Sequence, residues 1–107
     1  MAIRQITIIG TGLIGGSVGM ALRARGWHVT GSDAAPGTAA RAVALGALDH
    51  AGEDRDADLV VVATPVHAAP AIVAEVLEGA GWNPDAVVTD HIALALAHVA
   101  ERDRLGA

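Results

Sequence analysis

The sequence predicts the α/β class: a doubly wound parallel sheet built within one small domain. Three observations carry that reading. Short runs of β-branched and aliphatic residues alternate with stretches of helical spacing along the chain. Glycine or proline punctuates nearly every junction. The apolar runs, such as Leu59–Ala63, lack polar alternation, as strands buried on both faces do. A length of 107 residues allows a single domain with a modest core.

Arg4–Gly10 reads as the first strand, and Leu13–Arg25 as a helix that Gly26 ends in a C′ position. Trp27–Ser32 is a second strand. Pro36 falls in the first turn of a helix that continues over Thr38–Leu45 and stops at Gly46. The run GALDHA (Gly46–Ala51) supplies a short third strand. Asp58–Thr64 is the clearest strand, stopped by Pro65. Pro70–Glu78 is a helix with Ile72, Val73, Val76 and Leu77 on one face and Glu75 and Glu78 on the other. Ala86–Asp90 is a last strand. Ile92–Arg104 is a last helix, with Ile92, Ala95, Leu96 and Val99 at core-facing spacing. Right-handed crossovers then give strand order 3-2-1-4-5, or a shortened variant, and gather the strand ends at one ligand-binding edge. No repeat, low-complexity tract or linker divides the chain. A six-stranded sheet would need a further strand, so residues 1–107 read as one truncated domain.

Composition removes several classes of function. There is no cysteine, which excludes disulfides, thiolate catalysis and Cys-ligated metal. All seven basic residues are Arg, so lysine chemistry is excluded too. Net charge is −5 with no basic cluster, which argues against nucleic acid as a partner. Hydrophobic residues make up 52% of the chain and mean hydropathy is +0.44. Yet no apolar run reaches the ~18–20 residues of a membrane span. The start, MAIRQITIIG, enters a strand with no signal-peptide pattern, so a cytoplasmic protein is expected.

Gly10, Gly12 and Gly15 form G-x-G-x-x-G between the first strand and the first helix. In that context the motif marks a dinucleotide-binding, Rossmann-type domain. The first glycine allows a tight turn, the second admits a pyrophosphate, and the third lets helix and sheet pack closely. Backbone N–H groups over Gly10, Thr11, Gly12, Leu13, Ile14 and Gly15 form the candidate cradle, aided by the helix dipole. Each glycine inside a helix costs about 1 kcal/mol relative to Ala. Gly15, Gly16 and Gly19 therefore suggest close packing or ligand approach. Asp33 ends the second strand, 18 residues after Gly15, near the expected position of a ribose-binding acid. Its carboxylate would accept from both ribose hydroxyls and repel a 2′-phosphate, which favours NAD over NADP. Arg41, one helix turn on, is within conceivable reach of such a phosphate. Asp33 also suits a helix N-cap, and both roles are compatible. Ala63, Thr64 and Pro65 end the fourth strand at the same edge. Small residues there let a cofactor lie against the backbone; an ordinary strand-ending turn is the plainer reading.

The segments IIGTGLIGGSVGMALRARG, VTGSD, ALGALD, DADLVVVATPV and AVVTD together resemble the nucleotide-binding domain of prephenate and arogenate dehydrogenases, over about Ile3 to Asp90. GLIGGS (Gly12–Ser17) is the most specific piece. The resemblance implies hydride transfer from prephenate or arogenate to a nicotinamide, with decarboxylation, on the route to tyrosine. It implies that Gly10, Gly12 and Gly15 hold the pyrophosphate and Asp33 the adenine ribose. Thr64 and Pro65 would line the nicotinamide side, and Asp90 would end the strand below it. The pattern departs after Asp90. Ala93 stands at the family's serine position and Ala95 at its lysine position. The His-Pro motif that carries the family's catalytic histidine has no counterpart, nor does the helical C-terminal domain. The resemblance thus implies cofactor binding and no catalytic residue within this chain.

The remaining histidines point to little. His91 follows Asp90, where an imidazole can relay a proton; a helix start is the simpler reading. His91 and His98 are seven residues apart, too far for one metal ion. His67 lies on a loop, and His28 and His50 look incidental. Two alternatives stay open: a stand-alone module that binds or senses NAD without turnover, and a small reductase completed by oligomerisation. Missing neighbours predict exposed apolar surface and a homo-oligomer, through Ile92–Leu105.

Overall fold

A computed structural model describes residues 4–79 and 81–106; Ile3, where the resemblance begins, lies outside the described residues. The elements follow as β1 (Gln5–Ile9), α1 (Leu13–Ala24), β2 (His28–Ser32), α2 (Thr38–Ala44), β3 (His50–Ala51), β4 (Leu59–Val62), α3 (Ala69–Glu78), β5 (Val87–Thr89) and α4 (Ile92–Leu105). All neighbouring strands pair in parallel, in the order β3-β2-β1-β4-β5. That is the order expected from the sequence, without loss of a strand. Of GALDHA only His50 and Ala51 pair as strand; Ala47 and Leu48 are buried in the core instead.

The period-2 pattern of the strands divides the core between two faces. Ile6 and Ile8 of β1, Val29 of β2, and Leu59 and Val61 of β4 share one face. Over it lie Val18 and Leu22 of α1, Ala42 of α2, and Ala95 and Val99 of α4. Thr7 and Thr30 point the other way and pair through their hydroxyls at 2.9 Å. The β3–β4 connection crosses on that side, where Asp54 N–H donates to Thr7 Oγ1 at 3.2 Å. On the same side α3 packs against β4 and β5.

Three expectations need correction. Pro36 stands before α2 rather than in its first turn. The helix is capped by Gly37 at φ +80°, a left-handed conformation that glycine adopts freely. Leu77 of α3 is exposed, while the inward side of the helix is Ala69 and Val76, with Ile72 and Val73 half-buried. Leu96 of α4 is exposed as well: Ala95 and Val99 form the contact stripe, with Ile92 only partly buried.

The far end of α4 is tied to the rest of the domain by Arg102, 3.6 Å from Asp58 Oδ1, and by the carboxylate of Asp103. Asp103 accepts from Arg25 Nε at 2.7 Å, Arg4 Nη1 at 2.9 Å and Trp27 Nε1 at 3.1 Å. The Arg25 hydrogen bond, with Trp27 and Arg4 adding to it, holds the carboxyl below its usual range against desolvation.

Candidate cofactor site

Because the sheet is parallel, β1, β2, β4 and β5 end at one edge, and the candidate residues follow those ends. Gly10 N–H donates to Ser32 O at 2.8 Å, and Ala63 N–H donates to Ile9 O at 2.7 Å. The ladders therefore run on past the strands and stitch the glycine loop between β2 and β4. Gly10 has φ +98°, and a Cβ there would meet Ala63 C and O at 2.8 Å. Both facts require glycine. A Cβ on Gly15 would collide with the Gly10 carbonyl, and one on Gly19 with the Ala47 carbonyl, so these two glycines serve close packing. Gly16, expected to share that role, meets only ordinary contacts at 3.7 Å and beyond.

Gly12 behaves differently. It is the N-cap of α1, with no side-chain cap, and a Cβ there would meet nothing within 4 Å. No protein neighbour requires it to be small. Leu13 and Ile14 begin the helix with their side chains exposed, Leu13 at 88%. The first turn of α1 thus offers its amides and positive dipole end to a ligand.

Asp33 follows β2 and faces this loop. Its Oδ2 accepts from Thr11 N–H at 2.8 Å, and its Oδ1 from Ala35 N–H at 2.9 Å. The second bond closes a turn two residues long; the helix cap considered for Asp33 belongs to Gly37 instead. A carboxylate offers about four lone-pair sites, so about two remain for other donors. Thr11 and Thr64 flank Gly10 with buried hydroxyls that find no partner among the described residues. Buried polar atoms are normally satisfied, so such orphans fit a ligand that supplies the missing bonds. Open space at Gly12, orphaned hydroxyls and a spare carboxylate together fit a dinucleotide.

The other candidates are spread wider. Pro65 is exposed at the end of β4, and its carbonyl accepts from Ala68 N–H at 2.9 Å as α3 begins. Asp90 is exposed after β5, two strands from the glycine loop. Arg41 stands in α2 and lines a cleft of about 550 Å³ between α1 and α2 with Thr11, Gly12, Leu13, Met20 and Leu45. Its lining takes in Thr11 and Gly12 of the loop and no residue of a strand. His91 is the N-cap of α4, its Nδ1 accepting from Leu94 N–H at 3.2 Å. His28 and His50 stack obliquely with ring centroids 5.5 Å apart, and His28 Nδ1 lies 3.7 Å from Asp49 Oδ2. Among the described residues no group of three or more His, Asp or Glu is placed to hold a metal. Among the described residues no helix is long and apolar enough to cross a membrane.

One residue of the loop's surroundings escaped the sequence reading. Gly31 sits inside β2 beneath Thr11, where a Cβ would lie 2.7 Å from Thr11 Cγ2. A glycine within a strand signals such close approach, and that signal was present in VTGSD.

Known proteins share this fold. The family model for the prephenate dehydrogenase nucleotide-binding domain matches residues 18–100. A probable prephenate dehydrogenase of Streptomyces niveus, NovF, is 42% identical over 77 residues, which cover 71% of this chain and 21% of that protein. Among solved structures, Synechocystis arogenate dehydrogenase superposes with a TM-score of 0.71 at 28% identity, over 78% of this chain and 31% of that one. The Aquifex aeolicus prephenate dehydrogenase, in complex with hydroxyphenyl propionate and NAD+, gives 0.69 at 27% identity over 82% and 33%. The chain spans about a fifth of the curated relative (21%) and about a third of each solved one (31% and 33%). With its fold, its glycine loop and these matches, the chain belongs to the family of prephenate dehydrogenase nucleotide-binding domains.

Proposed function

We propose that this chain binds NAD at the C-terminal edge of its sheet, as the nucleotide-binding part of an oxidoreductase of the prephenate or arogenate dehydrogenase type. The observation that carries the reading is Gly12: an uncapped helix N-terminus with open space where a Cβ would stand, beside the Asp33 carboxylate. The free amides from Gly12 to Gly15 hold the pyrophosphate, those of Gly10 and Thr11 being engaged by Ser32 O and Asp33 Oδ2 to shape the loop around it, and the Thr11 hydroxyl adds a donor. The spare lone pairs of Asp33 accept from the adenine ribose diol, and its charge disfavours the 2′-phosphate of NADP. Ala63, Thr64 and Pro65 line the nicotinamide side, with Asp90 at its far end.

The chemistry that NAD supplies when bound is acceptance of a hydride. The residues here orient the cofactor and do no proton or carboxylate work of their own. With Ala93 and Ala95 where the resemblance has Ser and Lys, groups acting on prephenate or arogenate come from other protein. We place the domain in the cytoplasm, as a homo-oligomer, with no nucleic-acid or membrane partner.

The test is a titration of the purified chain with NAD and NADP, followed by an absorbance assay for reduced cofactor with prephenate or arogenate. NAD should bind more tightly than NADP, Asp33→Ala should erase that preference, and no turnover should appear. Absence of dinucleotide binding overturns the reading. Turnover by this chain alone overturns its restriction to binding.

A further inference from the structure

We propose that Asp33 is a positioning residue for the phosphate-binding loop, besides its part in ribose recognition. The inference rests on the dinucleotide reading above. The β1–β2 ladder ends with Gly10 N–H on Ser32 O at 2.8 Å. Beyond it the chains diverge, β1 into α1 and β2 into the turn before α2. The next amide, Thr11 N–H, belongs to a residue only 4% exposed, wedged over Gly31. A buried amide needs an acceptor, and no strand carbonyl continues in register to meet it. Asp33 Oδ2 supplies that acceptor at 2.8 Å, adding one side-chain rung to the ladder.

This rung fixes the peptide plane of Thr11, and with it the direction of the amides that follow at Gly12 and Leu13. Those are the groups placed to meet a phosphate. The other oxygen, Oδ1, is held by Ala35 N–H at 2.9 Å, so the carboxylate is itself locked in place by its own turn. Only a side chain of aspartate's length closes a turn of that kind while still reaching the loop. Glutamate keeps a charge for a ribose diol, but its extra methylene carries the oxygens past Ala35 and Thr11. A bond to a charged acceptor is about twice as strong as a neutral one. Loop geometry and ribose recognition therefore share one carboxylate.

The two roles separate with a ligand that keeps the diphosphate and lacks the diol. Equilibrium binding of ADP and of 2′,3′-dideoxy-ADP is measured on wild type, Asp33→Glu and Asp33→Ala. If Asp33 positions the loop, both variants bind dideoxy-ADP roughly tenfold more weakly than wild type, a loss typical of one charge-assisted bond. Equal affinity of all three proteins for dideoxy-ADP overturns the proposal and leaves ribose recognition standing. Failure of wild type to bind either nucleotide overturns the dinucleotide reading, and this proposal with it. Amide hydrogen exchange in ligand-free wild type needs no variant to fold. Slow exchange at Thr11 beside fast exchange at Gly12 supports the rung, and equally fast exchange at both overturns it.

Discussion

Gly12 and Gly15, three residues apart in sequence, answer to different demands. Gly15 is set by packing, since a side chain there meets the Gly10 carbonyl, which is anchored in turn by β2 and β4. Gly12 is set by nothing inside the chain. Gly15→Ala should therefore destabilise the fold by about 3 kcal/mol, at the upper end of overpacking effects, as read from urea unfolding. Gly12→Ala should leave stability within about 1 kcal/mol, the range of N-cap exchanges, yet weaken NAD tenfold or more by calorimetric titration. Both roles were legible from the G-x-G-x-x-G spacing, because that spacing encodes local geometry. The Asp33–Thr11 bond was not, because its partners lie 22 residues apart and meet only when β1 and β2 pair. The turn from Asp33 to Ala35 is local, and an aspartate ahead of AAPG allows it without specifying it.

Among the elements, all the strands and helices but β3 were readable to within a residue or two, since each is bounded by Gly, Pro or a change of period; of the six residues expected in β3 only His50 and Ala51 pair. The apolar stripe of Ala95 and Val99 that packs α4 on the core was readable too, but the polar tie at the far end of that helix was not. Asp103 gathers Arg4, Arg25 and Trp27, residues that only the parallel topology brings to one place. Asp103→Ala should cost about 2 kcal/mol, because it strands the buried Trp27 Nε1 donor and unpairs two guanidinium groups. Acid should act on the same contact. The Asp103 carboxyl is held below its usual range, first by Arg25. Asp49 is lowered too: burial raises it, but the Val29 amide and Arg23 outweigh that. A carboxyl depressed in the folded state contributes stability above its unfolded value, near pH 4, and loses that contribution as pH falls through the folded value. The urea midpoint should hold steady from pH 7 to about 5 and drop below about pH 4. In Asp103→Ala the drop should be smaller, since one of the two carboxyls is gone.

At the scale of the molecule, the domain leaves one side unfinished. The sheet stops at β5, three residues long, with no strand beyond it among the described residues. Val87 there is 37% exposed, and on the adjoining α4 Leu94 is 62% and Leu96 43% exposed. Between them runs a cleft lined by Val87, Val88, Thr89, Leu94, Ala97 and His98, with the His98 Nε2 buried and without a hydrogen-bond partner among the described residues. An open edge beside exposed leucines invites pairing, and contiguous apolar patches mark contact surfaces. We expect two copies to meet through this side, giving a dimeric mass by light scattering at micromolar concentration. The double variant Leu94→Glu, Leu96→Glu should return a monomer, because four like charges would face one another across a two-fold contact. A monomeric wild type would sink the idea. The glycine loop lies on the β1–β2 side of the sheet, two strands from that edge. The variant should therefore keep wild-type affinity for NAD, so that loss of assembly with binding intact identifies a surface effect, while loss of both identifies a collapsed fold.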